Sequence, residues 1–188
     1  MTHDGWAPYL NFRGAPHQTC LAHLLRRCRE LLEAATRGAV VFPRRVKALL
    51  KEALAVRDDR DAGRVTARQA ARRADALDAA AHALLRLTKR HPGNERFAKH
   101  LWHNRRHLFT FLRHERVDAT NWRAEQALRP AVVNRKVWGG NRTDAGARAQ
   151  SVLMTVLQTA KLLGIDSMRF LSRLLCAPAG RQPLLIPA

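Results

Sequence analysis

Few residues in this chain combine the type and the spacing that chemistry requires. In a helix starting near Asn121, positions 121, 125, 128 and 132 fall on one stripe, so Asn121 and Glu125 share a face with Leu128 and Val132. A carboxylate in an apolar stripe is costly to bury unless a metal ion or a basic side chain pairs with it. The competing account is a solvated Glu125–Arg129 pair at i, i+4, worth only a few tenths of a kcal/mol. Asp4, between His3 and Gly5-Trp6, is the second acidic candidate, although an Asp-Gly near a terminus is by itself a turn signal. Cys20 and His23 have Cys-x2-His spacing, which puts two possible metal ligands on one helical turn. No second pair completes a four-ligand zinc site, and Cys28 lies too far along the same helix. A packing motif at a helix start is therefore the other reading of this pair.

The elements that must position these groups read as helices. Residues 5–19, with Gly5, Pro8, Gly14 and Pro16, suggest a short helix or turn and then a loop, with a short strand at 17–20. From Cys20 to Ala35, leucines recur at three- and four-residue steps and predict a helix. A second helix is expected over 44–57. Thr66-Ala67-Arg68-Gln69 then fits a capping box, and Ala70, Ala74, Leu77, Ala81 and Leu84 follow at 4-3 spacing. Residues 43–90 thus read as an antiparallel helical hairpin whose seam is packing. His91-Pro92-Gly93-Asn94 reads as a turn and 95–113 as a long helix. Helices at 121–137, from Thr143 or Asp144 to Leu163, and from Asp166 to about Leu175 complete the chain, with a kink or opening expected at Pro130. The tail from 176, CAPAGRQPLLIPA, is Pro-rich. No internal repeat and no phosphate-cradling Gly-rich loop is found, so the local reading is all-α.

Bulk composition narrows the function classes. The 188 residues carry 34 Lys plus Arg against 15 Asp plus Glu, a formal charge of +19. The basic residues recur along the whole chain, which favours a folded nucleic-acid-binding surface over a basic arm. Arginine supplies 28 of the 34, so the Arg- and Ala-rich composition of a GC-rich genome is the alternative account. Three cysteines without export signals argue against a disulfide framework. No apolar run approaches the roughly 20 residues of a membrane span. The N-terminal MTHDGWAPYL lacks a basic region followed by an apolar stretch, so no signal peptide and a cytoplasmic location are expected.

The segment at 120–149, TNWRAEQALRPAVVNRKVWGGNRTDAGARA, resembles the end of the catalytic domain of transposases of the insertion sequence 66 family. The matching positions are Asn121, Glu125, Leu128, Arg129, Pro130, Lys136, Trp138, Gly139 and Gly140, followed by the Ala-rich stretch from Ala147 to Leu163. Earlier, Asp4, Gly5 and Tyr9, and then Cys20, Ala22, His23, Leu24 and Arg26, match two further family elements in order. The resemblance spans about residues 1–172, with 40–90 matching only as helical filler.

This resemblance implies a mainly α chain: the C-terminal portion of an RNase H-like catalytic domain with a helical insertion, lacking most of the core sheet. It implies residues 1–42 as a remnant of the core around the second aspartate, 43–91 as a hairpin insertion, 92–175 as the C-terminal helices and 176–188 as a flexible tail. It also implies a DDE triad holding two divalent metals, Mg²⁺, that cut and join DNA phosphodiesters. Asp4 resembles the second aspartate and Glu125 the closing glutamate. Asn121, Cys20 and His23 are supporting residues. Arg129, Arg135, Lys136 and Arg142 are expected DNA contacts from charge and position. The first aspartate has no counterpart among these residues, so a truncated chain, inactive alone, is expected. A non-enzymatic, basic DNA-binding remnant or regulator is the alternative. DNA is the expected partner, together with full-length transposase or other element-encoded proteins, and no membrane is expected.

Overall fold

Leu and Ala at helical spacing decide most of the architecture, and the computed structural model describes it for residues 1–35, 37–178 and 180. It is mainly helical, 72% helix and 2% strand. The chain divides into two units, Met1–Trp122 and Arg123–Ala188.

In the first unit, β1 (Thr2–His3) pairs in parallel with β2 (Gln18–Thr19), Thr2 opposite Gln18 and His3 opposite Thr19. A 3-10 turn over Ala7–Asn11 lies between them. Helix α1 (Leu21–Ala34) buries Leu21, Leu24, Cys28 and Leu31 on one face, as its spacing predicts. Helix α2 (Val41–Asp61) is longer at both ends than expected. Pro43 sits in its first turn, where a missing N–H costs nothing, and RDDRD continues the helix through local Arg–Asp pairs. Helix α3 (Ala67–Arg86) opens with the predicted box: Thr66 Oγ1 accepts from the Gln69 amide, and the Gln69 side chain accepts from the Thr66 amide. Its small residues, Ala70, Ala74 and Ala81, are buried and let α3 lie closely on α2. These faces and α4 (Pro92–His103) share one core with α1.

Two expectations are corrected between 91 and 113. The HPGN turn is instead the start of α4, because His91 takes the N-cap position and Pro92 is the first helical residue, where its fixed φ suits the helix. The long helix to 113 stops at His103. Asn104 is buried and its side-chain amide donates back to the His100 carbonyl, closing the last turn. Beyond it, Leu108, Phe109, Thr110, Phe111 and Leu112 are all buried in succession. A helix has one inward face and cannot bury five consecutive residues at a surface, so the chain runs here as short 3-10 turns.

Irregular backbone in a core must find partners for its amides and carbonyls. Gln18 supplies them. Fully buried, its amide nitrogen donates to the Leu108 carbonyl (2.8 Å) and the Thr19 carbonyl (2.7 Å), and its oxygen accepts from the Phe111 amide (3.1 Å).

The second unit contains α5 (Trp122–Trp138, its first residue in unit one), α6 (Asp144–Leu162) and α7 (Ser167–Cys176). Thr143 and Asp166 cap α6 and α7, accepting from the amides of Gly146 and Arg169, and Gly164 takes the left-handed position after α6 (φ +68°). The helical run of α5 passes through Pro130. α6 and α7 pack together and bury Ala160 and Phe170. Of the expected tail, only Cys176 to Pro178 and Gly180 fall within the described residues.

Replacing Gln18 by Leu keeps the bulk but strands the Leu108 carbonyl and the Phe111 amide. The substitution should destabilise the chain by roughly 3 kcal/mol, at 1–3 per stranded group. Urea unfolding measures this, and a loss below about 1 kcal/mol would show that the bridge does not hold the segment.

Candidate functional site

Asp4 sits just after β1, where the backbone must turn out of the strand. Its Oδ1 accepts from the Trp6 amide at 3.0 Å, an Asx-type turn. Gly5 makes the turn possible: its φ is +94°, and a Cβ there would lie 2.8 Å from His100 Cε1. The Gly5 amide donates to His3 Nδ1 at 3.1 Å. His3 is buried, and its Nε2 meets His17 Nδ1 at 3.3 Å. His17 Nε2 lies 2.8 Å from the Phe12 carbonyl, which can only accept, so that nitrogen carries a proton. Neutral rings then give one consistent direction. Gly5 N–H donates to His3, His3 donates to His17, and His17 donates to Phe12. The ring of His107 lies tilted against that of His17, centroids 5.4 Å apart.

A cavity of about 300 Å³ opens beside Asp4, lined by His23, Arg27, Arg96, Phe97 and His100. His23 and Arg27 are i, i+4 on α1, and Arg96 and His100 are i, i+4 on α4, so each helix presents one imidazole and one guanidinium. The spacing within each pair is legible in the sequence. Their meeting is not, and Arg27, Arg96, His3, His17 and His100 were not singled out from it. Burial lowers the pKa of His3 and His100 first of all, and nearby cationic or imidazole groups lower both further, against the opposing pull of Asp4. His107 is lowered by burial, then by His17 and Arg106.

Of the Cys20–His23 pair, His23 lines this cavity, while Cys20 faces the core and its Sγ accepts from the Asn121 amide at 3.4 Å. Burial pushes the Cys28 thiol up to about 12, which keeps it a protonated core residue. The structure thus bonds Cys20 to the Asn121 amide, while His23 lines the same cavity as Asp4. No group of three or more His, Cys, Asp or Glu is placed to hold a metal among the described residues. Taken alone, the Asp4 cavity does not fit Mg²⁺, which requires several hard oxygen ligands. It offers one carboxylate, with one oxygen already engaged, among two guanidiniums and two imidazoles.

Glu125 lies on α5, in the second unit. Glu125 and Leu128 are exposed, and no residue of α5 is buried, so the stripe is solvated, as one of its two readings had it. Arg129, Arg135 and Lys136 are exposed on the same helix. Arg142 is exposed just before the cap of α6, beyond Gly139 and Gly140, whose positive φ values turn the chain out of α5.

A mainly helical, strongly basic chain of this kind falls among the transposases, because a model of one transposase family matches residues 1–149. That family is described as Transposase IS66 family, and the chain belongs to it. No curated protein and no solved structure matches the chain. A transposase family implies DNA as partner, and no helix among the described residues is long and apolar enough to cross a membrane.

Gly5→Ala forces a side chain into both the positive φ and the His100 ring. It should lower stability by about 2 kcal/mol, read as a drop in the unfolding midpoint, and an unchanged midpoint would mean the turn tolerates a Cβ. The three depressed histidines give a pH signature. Their neutral forms are favoured in the fold, so their contribution is complete above roughly pH 6.5 and is lost as pH falls and the unfolded chain protonates first. Midpoints should therefore fall between about pH 7.5 and 5.5, and less steeply in His107→Gln. Equal slopes for the two proteins would contradict this assignment.

Proposed function

We propose that the chain acts in DNA transposition through a DDE-type, RNase H-like catalytic fold, with Asp4 and Glu125 as two of its metal-holding carboxylates. The observation that carries the reading is the family match over residues 1–149, a span that includes both carboxylates. In this reading residues 43–91 are a hairpin inserted into the catalytic fold, between the segment around Asp4 (1–42) and the C-terminal helices (92–175). The exposed apolar side chains of α5 support it, since a helix showing Leu128, Val133 and Val137 to solvent suits a fold with a further layer.

A divalent ion, Mg²⁺, would be held by Asp4 and Glu125 together with a further carboxylate; residues 1–188 match two of the three. When bound, such ions activate the attacking oxygen and stabilise the leaving one. The chain's own groups do the rest. The Asx turn and Gly5 fix where Asp4 stands. Arg27 and Arg96 offset its charge toward an approaching phosphate, and Arg129, Arg135, Lys136 and Arg142 hold the DNA backbone. The Asn121 amide donates to Cys20 Sγ, holding residue 121 against the start of α1.

The test is a strand-cutting and strand-transfer assay with Mg²⁺ on labelled duplex DNA, using the chain alone and within a transposase that contains it. Cutting should fall at least about hundredfold in Asp4→Asn and in Glu125→Gln while duplex binding is retained. Cutting that survives either substitution would overturn the assignment. The charge of +19 favours one other reading, a non-enzymatic DNA-binding remnant or regulator. Steeply salt-dependent duplex binding without cutting in either setting would select it.

A further inference from the structure

A second, larger cavity lies away from Asp4, where the start of α2 meets the end of α3 and the start of α4. Its volume is about 570 Å³, within the range of small-ligand sites. Phe42, Leu84 and Leu87 give it apolar walls, Arg45 and Arg90 stand on its lining, and no carboxylate lines it. Lys89 also lines it but is already engaged: its ammonium caps the end of α3 through the Leu84 and Leu85 carbonyls and lies 4.9 Å from the centre of the Phe42 ring.

The informative residue is Asn94. It is only 4% exposed, and its amide nitrogen donates to the Ala39 carbonyl at 2.7 Å, which fixes the orientation of the amide. Its Oδ1 is buried and accepts nothing. An unsatisfied buried acceptor lining a cavity calls for an N–H or O–H donor. His91 Nδ1, on the same lining, is also buried without a partner. The occupant must therefore combine an apolar body, a hydrogen-bond donor and a negative charge.

We propose that this cavity receives a single unpaired nucleotide, its base against Phe42, Leu84 and Leu87. An exocyclic amino group donates to Asn94 Oδ1, and a phosphate lies beside Arg45 and Arg90. The same chemistry is offered by an extrahelical base of a DNA strand and by a free nucleotide. The inference rests on the transposase reading only for the choice of DNA as the source.

The experiment measures binding of four probes: a duplex with one unpaired adenine, the same duplex fully paired, the duplex with an abasic site at that position, and free deoxyadenosine monophosphate. The unpaired-adenine duplex should bind at least about fivefold more tightly than the paired and abasic ones, the lower end of what base contacts contribute. Asn94→Leu should remove that preference and leave paired-duplex binding. Leu87→Asp, at a position 55% exposed and so safe for folding, should do the same if Asn94→Leu does not fold. A preference that persists in both variants overturns the proposal. So does equal binding of all duplexes with no binding of the mononucleotide. Mononucleotide binding lost in the variants, without a duplex preference, supports the cavity with a free nucleotide as its occupant. Failure of every duplex to bind counts against the DNA reading, and the mononucleotide arm then decides the cavity on its own.

Discussion

The first unit depends on how one buried amide is used. Gln18 belongs to a strand of two residues, too short to organise anything by its ladder alone. Its side chain spends both donor hydrogens and its acceptor on backbone groups, two of them about ninety residues away. This lets the run Leu108–Leu112 enter the core without being helix or strand. The same seam is fastened further along: Thr2 Oγ1 donates to the Asp118 carbonyl, the Leu21 amide to the Ala119 carbonyl and the Asn121 amide to Cys20 Sγ. The start of the chain and the segment 108–121 are thereby held as one body. Asp4, which leaves the seam on β1, inherits its position from these bonds.

That constraint also separates what could be read in the sequence from what could not. The α1 face and the α3 seam follow from spacing, because each is a local pattern whose period states which residues turn inward. The caps at Thr66, Thr143 and Asp166 were legible for the same reason, since each is a bond between residues three apart. The end of α4 was not. Arg105 to Arg113 keeps enough apolar residues to continue a helix, and the distant Gln18, with Arg60 donating to the Phe111 carbonyl, makes the irregular alternative affordable in hydrogen bonds. The Asp4 cavity was half legible: the motif marks Asp4 and His23, but Arg96 and His100 come from a helix more than ninety residues beyond Asp4, and no local period links them.

Glu125 is a different case. Its stripe is clear in the sequence, but the spacing leaves both a paired, buried carboxylate and a solvated one open. A helical period reports which residues share a face, not whether anything covers that face. On α5, Leu128 is 61% exposed and Val137 79%, so the face exists without a cover. Apolar residues at 131–133 and 137–138 are spread around this helix, so the contrast between its faces is low.

The electrostatics around Asp4 give the proposed chemistry a physical logic. A lone carboxylate repels the phosphate it would have to approach, and at exposed Asp4 water screens only part of that repulsion. Here two guanidiniums border the same cavity, one from α1 and one from α4. Burial also holds His3 and His100 toward their neutral forms, so these rings can orient and donate without adding permanent charge. The turn at Asp4 is kept by the Trp6 amide donating to its carboxylate and the Gly5 amide donating to His3, and the field beside it is set by two guanidiniums. Positioning and charge neutralisation fall to different residues.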